Sequence, residues 1–555
     1  MIHNIRIYLL ASVLIVCNQL YSQRLLNRVN YSMSPAEDRY HAINSDFTLS
    51  SDRAIHANPT FTQWHKQNDT TLYKHSVIVY AGLAGADSKG DFIPYEGTGY
   101  IDYRVGAYGE YTMPRSGTLS GSIQYAQGKH RNIGWSAMRL PELYLPYIST
   151  DSCGGDFKFD TYFVEGNYAF TLKEWTFGVK ASFYGEQAYR LTDPRSLNNT
   201  TWLRFNTGVA WQIGRNLLLL DIGYGRNKQH MQLRYWRPGQ QDRFFVCYGF
   251  GLYDTRQSAV SFGKSRMYYI DEFNARLQYW TLRSQPLCIH ASLGYSFNHM
   301  KTEESDIYNL YESRSHQFSP LLRLTYNPQN DWQFELAAMG DIMLRKGYEN
   351  IIEEYLIDKE NNIYDFRTID TRQNYIRNTS RFSAALKASK QISHVQLSLQ
   401  GGAATENYEE KYKAGSYYIK VSTITPHIKV GVDWQGNRDD ISLSILYARQ
   451  SVSNNDYNVS FQNQQIAHLD FQHAFAPYAF HCAALDKVTA SITWQHQIKK
   501  MAVGLNTKLY IANGNRKADV SYNGDIGFPS TAPMINVAPD KHQEYWAALT
   551  AFVSF

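Results

Sequence analysis

The sequence predicts an all-β fold: a transmembrane antiparallel β-barrel of about 18 strands, with counts of 16 and 14 left open. Three features carry that expectation: an apolar, alternating final strand, period-two alternation recurring from about residue 73 to the end, and a regular exchange of short turns with long loops. Successive side chains of a strand point to opposite sides. Tyr545, Ala547, Leu549, Ala551, Val553 and Phe555 therefore share one greasy face.

Composition agrees. The 555 residues hold 43 tyrosines, 27 phenylalanines and 11 tryptophans in a chain only 43% hydrophobic. Mean hydropathy is −0.45, and no run of 18 apolar residues exists, so helical spans are excluded. Barrels combine these properties because only alternate residues face lipid and aromatic girdles sit at both interfaces. A formal charge of +5 on so long a chain suggests no nucleic-acid partner.

Taken in order, residues 1–23 read as a signal peptide: His3 and Arg6, an apolar run Ile7 to Val16 too short to span a bilayer, then small and polar residues to Ser22 and Gln23. Cys17 invites a lipoprotein reading, but Val16 stands where a lipobox wants a small residue. Residues 24–72 are polar and expected to form a periplasmic extension or a lumen insert. The barrel follows over 73–555. Its ladders include Leu119, Ile123 and Tyr125; Trp175, Phe177, Val179 and Phe183; Leu218, Leu220, Ile222 and Tyr224; Trp332, Phe334 and Leu336; and Ile441, Leu443, Ile445 and Tyr447, each opposite a polar or small face. A large soluble sandwich or propeller would explain alternation alone. A propeller should repeat every 40 to 50 residues or so, and no such repeat occurs.

Eight tight turns are expected near residues 114–117, 172–174, 214–216, 283–286, 327–330, 390–393, 435–438 and 498–500. Long irregular segments are expected at 131–156, 237–261, 347–375, 453–485 and 513–540, in keeping with short periplasmic turns and long extracellular loops. With both termini in the periplasm, eight turns imply nine hairpins. Beyond Cys17, the cysteines are Cys153, Cys247, Cys288 and Cys482; the exported setting permits one bridge among Cys153, Cys247 and Cys482.

No catalytic site, cofactor or metal is expected. Lys180, Glu186, Glu272, Arg276, Glu335, Asp341 and Arg345 fall on polar strand faces, so they are lumen candidates that either set ion selectivity or fill and stiffen the barrel. His290 and Ser292 have the His-x-Ser spacing of a hydroxyl activated by imidazole, but their apolar neighbours turn them towards the lumen near a periplasmic turn. Asp439-Asp440 lies beside a turn. His468, His473, His481 and Asp470 lack ligand spacing. Two loops are apolar and aromatic, so Tyr144, Tyr147, Phe471, Phe475 and Tyr478 must fold inward or dock a partner.

The apolar leader, the Tyr-rich strands and the Phe-terminated last strand resemble outer-membrane barrels of the Bacteroidota type. That resemblance implies insertion by the barrel-assembly machinery, with Tyr545, Leu549, Val553 and Phe555 as its recognition positions, and a place among surface-exposed nutrient-uptake proteins. The 24–72 segment is too short for the plug of an energised receptor, whose barrel has about 22 strands. The function expected is solute permeation or uptake across the outer membrane of a Gram-negative bacterium. The alternative is a non-conducting scaffold whose loops dock a surface lipoprotein or uptake receptor, and a barrel hydrolase is a third.

Overall fold

The structure, a computed structural model, describes residues 54, 57–68, 75–90, 92–113, 116–151, 153–234, 236, 244–249, 252–254, 265–281, 286–304, 309–328, 331–361, 363–415, 417–458, 468–469, 478–516 and 541–555. The expected signal peptide lies outside them. One helix, α1 (Phe61–Asn68), precedes the strands. These are β1 (His75–Lys89), β2 (Gly99–Met113), β3 (Gly117–Ile133), β4 (Ser149–Asp151), β5 (Gly155–Leu172), β6 (Trp175–Arg190), β7 (Arg195–Ile213), β8 (Asn216–Arg234), β9 (Phe244–Gly249), β10 (Leu252–Asp254), β11 (Ser265–Thr281), β12 (Leu287–Glu304), β13 (Tyr311–Tyr326), β14 (Trp332–Asp358), β15 (Ile363–Ile392), β16 (Val395–Tyr412), β17 (Tyr417–Gln435), β18 (Asp439–Asn458), β19 (His468–Leu469), β20 (Ala483–Ile498), β21 (Met501–Arg516) and β22 (Lys541–Ser554).

Eighteen of them make one antiparallel sheet, and β4, β9, β10 and β19 make a second, small one. The large sheet closes because β1 pairs with β22 from Ile78↔Ser554 to Lys89↔Gln543. The last residue is part of the seam: the Phe555 N–H donates to the Val77 carbonyl at 2.8 Å and Val77 returns the bond at 3.2 Å. Closure leaves no open edge in the wall, which is what a strand-built span requires in a medium that cannot hydrogen-bond. Among the described residues no helix is long and apolar enough to cross a membrane.

The eight expected turns separate the expected strands, so fold class and strand number stand as read. Two-residue turns at Lys173, Gly214, Ser393 and Lys499 place those residues in the left-handed region, with φ of 56°, 59°, 53° and 54°. The opposite side departs from expectation: β4, β9, β10 and β19 lie in segments expected to be irregular, and the largest departure is in β14 and β15. Residues 347–375 are not an irregular loop: β14 and β15 continue through them as a paired ribbon up to Asp358↔Ile363.

Outside, Leu218, Leu220, Ile222, Leu277, Leu293, Leu322 and Leu336 stand exposed around the wall. Trp175 and Trp211 stack at 5.2 Å near the short turns. Towards the loop side, outward tyrosines donate to a carboxylate on the next strand, as in Tyr125 to Asp160, Tyr224 to Asp271 and Tyr447 to Asp486, each at 2.7 Å. Two polar-tipped aromatic bands around an apolar belt are the signature of a wall standing in lipid. Leu293, six residues into β12 and 54% exposed, tests it. Leu293→Arg should cost about 2–4 kcal/mol at mid-bilayer, read as a lower temperature for loss of the compact form on unheated gels.

Candidate functional site

The inner wall is polar, and its charges are matched from strand to strand. Lys180 meets Glu165 at 3.1 Å, Arg204 meets Glu272 at 2.9 Å, and Arg323 meets Glu335 at 2.8 Å. Asp341 accepts from Gln317 at 2.8 Å. Lys180–Glu165 and Arg323–Glu335 are diagonal contacts between paired strands, and Arg204 on β7 reaches Glu272 on β11 over Gly225, the β8 residue in register with both. The remaining lumen candidates, Glu186, Arg276 and Arg345, bind segments that enter the barrel from its two ends.

At the short-turn end the intruder is residues 54 and 57–68. The Asn58 side chain accepts from the Thr60 N–H at 3.0 Å and the Thr60 hydroxyl at 2.6 Å, a local turn that leads into α1. Phe61 and Trp64 are buried against Ala210, Leu217 and Leu219, the inward residues of strands whose Leu218 and Leu220 face out. Trp64 donates to Gln212 at 2.9 Å. The Asn167 amide donates to the Pro59 carbonyl at 3.1 Å, and Gln278 donates to that of Ala54 at 3.0 Å. Arg276 reaches the same Ala54 carbonyl at 3.4 Å. The wall is notched to receive the segment: Gly178 and Gly208 are register partners on β6 and β7, and a Cβ on either would meet Asn58, Pro59 or Thr60 at 2.7–3.0 Å.

At the loop end, residues 134–154 cross the mouth as a strap. Arg139 pairs with Glu186 on β6, and Asp151 pairs with Arg190, also on β6, at 2.5 Å. At the other side Glu142 pairs with Arg377 on β15 at 2.9 Å, and Arg345 on β14 donates to the Glu142 carbonyl at 3.0 Å. β6 and β15 stand seven positions apart in a ring of eighteen, so the strap spans most of a diameter. The strap's own β4 pairs with β9, which pairs with β10, and together they bury a tyrosine-rich core against the wall. Tyr147 stacks on Tyr311 at 4.8 Å, Tyr144 donates to Asn227 at 2.7 Å, and the Tyr268 hydroxyl sits 3.1 Å from Ser149. Burial pushes the Tyr144 and Tyr147 hydroxyls well above the ordinary phenol range, so both stay neutral. Gly249, at φ 91°, lets the β9 backbone lie against the Tyr375 ring, 2.6 Å from where a Cβ would sit.

A family model described as a family of unknown function, DUF6850, matches residues 69–550. The chain belongs to this family. The matched span runs from just after α1 into β22, so what characterises DUF6850 is the barrel with its loops. No curated protein matches the sequence. Among solved structures, the copper transporter OprC is 10% identical over 86% of this chain and 80% of its own, with a TM-score of 0.37. The FrpB iron transporter from Neisseria meningitidis is 7% identical over 87% and 82%, at 0.37. The ferripyoverdine receptor of the outer membrane of Pseudomonas aeruginosa is 8% identical over 87% and 72%, at 0.38. Likeness this distant carries no argument beyond the barrel already seen in the strands.

Several expected residues change role in this DUF6850 member. Tyr144, Tyr147 and Tyr478 are fully buried and so offer no surface to a partner; they pack the mouth instead. Phe471, Phe475, His473 and Asp470 lie outside the described residues. The bridge allowed among Cys153, Cys247 and Cys482 is not formed: all four described cysteines are free thiols. His290 and Ser292 are buried on the inner face, with the His290 ring 3.2 Å from Gln278, away from lipid. Among the described residues no cluster could hold a metal ion. Tyr545 and Leu549 on β22 and Phe555 just beyond it face outward, with Val553 in the same alternation. Sequence reasoning missed the partners that matter most, Arg139, Glu142, Asp151, Arg190 and Arg377. The faint signal was charge at 139, 142 and 151 within an otherwise apolar loop.

Proposed function

We propose that this chain is an outer-membrane barrel of a Gram-negative bacterium that takes up a solute through a gated lumen, without enzymatic activity. One observation carries the reading: a polar, charge-matched wall is obstructed at both ends by the chain's own segments, each held by specific bonds. A wall that only had to be filled could be filled with packed apolar residues. A polar lumen behind movable obstructions suits a solute that is admitted on demand. The outward row Tyr545, Leu549, Val553 and Phe555 supports insertion by the barrel-assembly machinery. In planar bilayers the intact protein should be mostly silent, and variants that loosen strap or α1 should give stable steps; silence in all of them would sink the gated reading.

The β14–β15 ribbon favours the second reading, a scaffold that docks a surface lipoprotein or uptake receptor. Beyond Asn350, whose N–H still donates to the Leu310 carbonyl at 2.9 Å, and the pair Tyr375↔Tyr412, the two strands are paired only with each other among the described residues, with Ile352 and Phe366 resting on the mouth core. Ile357, Ile363 and Ile369 are exposed there. An isolated two-stranded ribbon is marginal alone, and free strand edges invite a further strand. Ile369→Cys should cross-link to a partner in intact cells, and replacing residues 354–365 by a tight turn, which spares Ile352, Phe366 and position 369, should leave conductance and barrel stability unchanged while that cross-link is lost. If stable conductance steps appear instead, the ribbon belongs to the gate.

A further inference from the structure

Above the lipid belt on one side of the barrel, five adjacent strands carry a dense outward patch of cations. The transition is abrupt. Leu220, Ile222 and Tyr224 give way to Arg226 and Lys228 on β8, and Phe273 gives way to Asp271 and Tyr269 on β11. Phe297 is followed by His299 and Lys301 on β12, and Leu344 by Lys346 on β14, while Arg314 and Glu312 continue the outer face of β13. Register joins them into two rows. One runs Lys228↔Tyr269↔Lys301↔Glu312↔Tyr348, and the other runs Arg226↔Asp271↔His299↔Arg314↔Lys346.

The patch is under-neutralised. Arg226 meets Asp271 at 3.0 Å, Glu312 is shared by Arg314 at 3.2 Å and His299 at 2.9 Å, and Glu303 stands exposed two residues from Lys301, so three acids face five lysines and arginines. Lys228, Lys301 and Lys346 are exposed, and no ion pair engages them among the described residues. Arg314 and Lys346 are direct neighbours of like charge, an arrangement that destabilises a sheet unless an anion lies between them. The rings hold the cations outward: Arg226 and Lys228 lie over Tyr269 at 5.3 and 5.7 Å, and Arg314 over Tyr348 at 4.8 Å.

Height decides what the patch meets. Arg226 stands ten residues into β8 and Lys346 fourteen into β14. At about 3.3 Å per residue and a tilt of about 40°, these lie roughly 25–35 Å above the short turns, where an apolar band about 25 Å tall has just ended. That is the level of lipid headgroups.

We propose that this face of β8 and β11–β14 binds the phosphate groups of a glycolipid headgroup in the leaflet on the loop side. The shared chemistry is a sugar-borne phosphate held between lysines whose neighbours are also cationic. The proposal rests on the barrel standing in a membrane and is independent of whether it conducts. Native mass spectrometry of the full chain released from nanodiscs tests it, with a bisphosphorylated diglucosamine glycolipid and the same lipid dephosphorylated as probes. Incorporation into the disc separately checks the membrane placement. The wild type should retain the phosphorylated form in preference, and Lys228→Gln/Lys301→Gln/Lys346→Gln should lose that preference by about fivefold per lysine. Arg449→Gln on another part of the rim should change nothing, and heat-modifiable migration should confirm that each variant is folded. Equal retention of the two lipids by the wild type would overturn the proposal. So would complete displacement by excess inorganic phosphate, which would make the ligand a soluble anion, or a triple variant that keeps the preference.

Discussion

Arg190→Ala should release the strap at its β6 end and turn a silent barrel into a leaky one. The Arg190 and Asp151 side chains are 0% and 1% exposed and meet at 2.5 Å. Arg190 also donates to the Pro194 carbonyl at 2.7 Å and lies 5.5 Å over the Phe157 ring. Removing it strands a buried carboxylate whose remaining donors are the Cys153 and Gly154 N–H groups, both at 2.9 Å. Breaking one side of such a pair costs about 3–5 kcal/mol. β6 keeps its ladders to β5 and β7, so the cost falls on the strap and not on the wall. Limited proteolysis should then cut within 134–154, and bilayer recordings should show steps absent from the wild type. Adding Asp151→Asn should recover part of the closure, because it removes the stranded charge while leaving an acceptor for the two N–H groups. If Arg190→Ala stays both silent and uncut, the strap is not the gate. Arg139 and Glu142 anchor the same segment, so loosening two anchors together should exceed the sum of the single effects.

The wall was legible because period-two alternation reports which face a residue takes, and every ladder named from the sequence kept its face. What fills the lumen was not legible, since a polar inner face looks the same whether it meets water or another segment of chain. Glu186 and Arg345 show this: both read as lumen charges, and both are buried because Arg139 and the Glu142 carbonyl come to them from the strap. Those partners are separated in sequence by 47 and 203 residues, and no local pattern links them. The ribbon was misread for a different reason. Bulges between Gly347 and Tyr348, Ile351 and Ile352, and Leu356 and Asp358 each shift the faces by a residue. Exposure on both faces then removes the polar–apolar contrast on which strand reading depends. In α1, only Phe61 and Trp64 mark a buried face within a polar helix.

The double substitution Gly178→Val/Gly208→Val should evict the N-terminal segment while leaving the barrel intact. At position 178 a Cβ would meet the Pro59 carbonyl carbon at 2.9 Å and the Thr60 nitrogen at 3.0 Å; at 208 it would meet Asn58 Oδ1 at 2.7 Å and the Pro59 ring at 2.8 Å. Most of these are backbone or ring atoms that cannot swing aside. Valine suits a strand better than glycine, so the wall itself gains while the docked segment loses. The magnitudes set how many changes are needed. Burying Phe61 and Trp64 holds the segment by about 3–6 kcal/mol, and each overpacked contact costs about 1–3 kcal/mol. One valine should therefore strain the docking, and two should match it. The readout is Gln63→Cys in a Cys153→Ser background, challenged with a membrane-impermeant maleimide. Position 63 is buried against the wall, where Gln63 contacts Thr118 and Thr171. It should resist labelling with both glycines present and label readily with both valines, and conductance should rise in parallel. A folded double-valine barrel that still protects position 63 would mean that Asn167, Gln212 and Gln278 hold the segment without the notch.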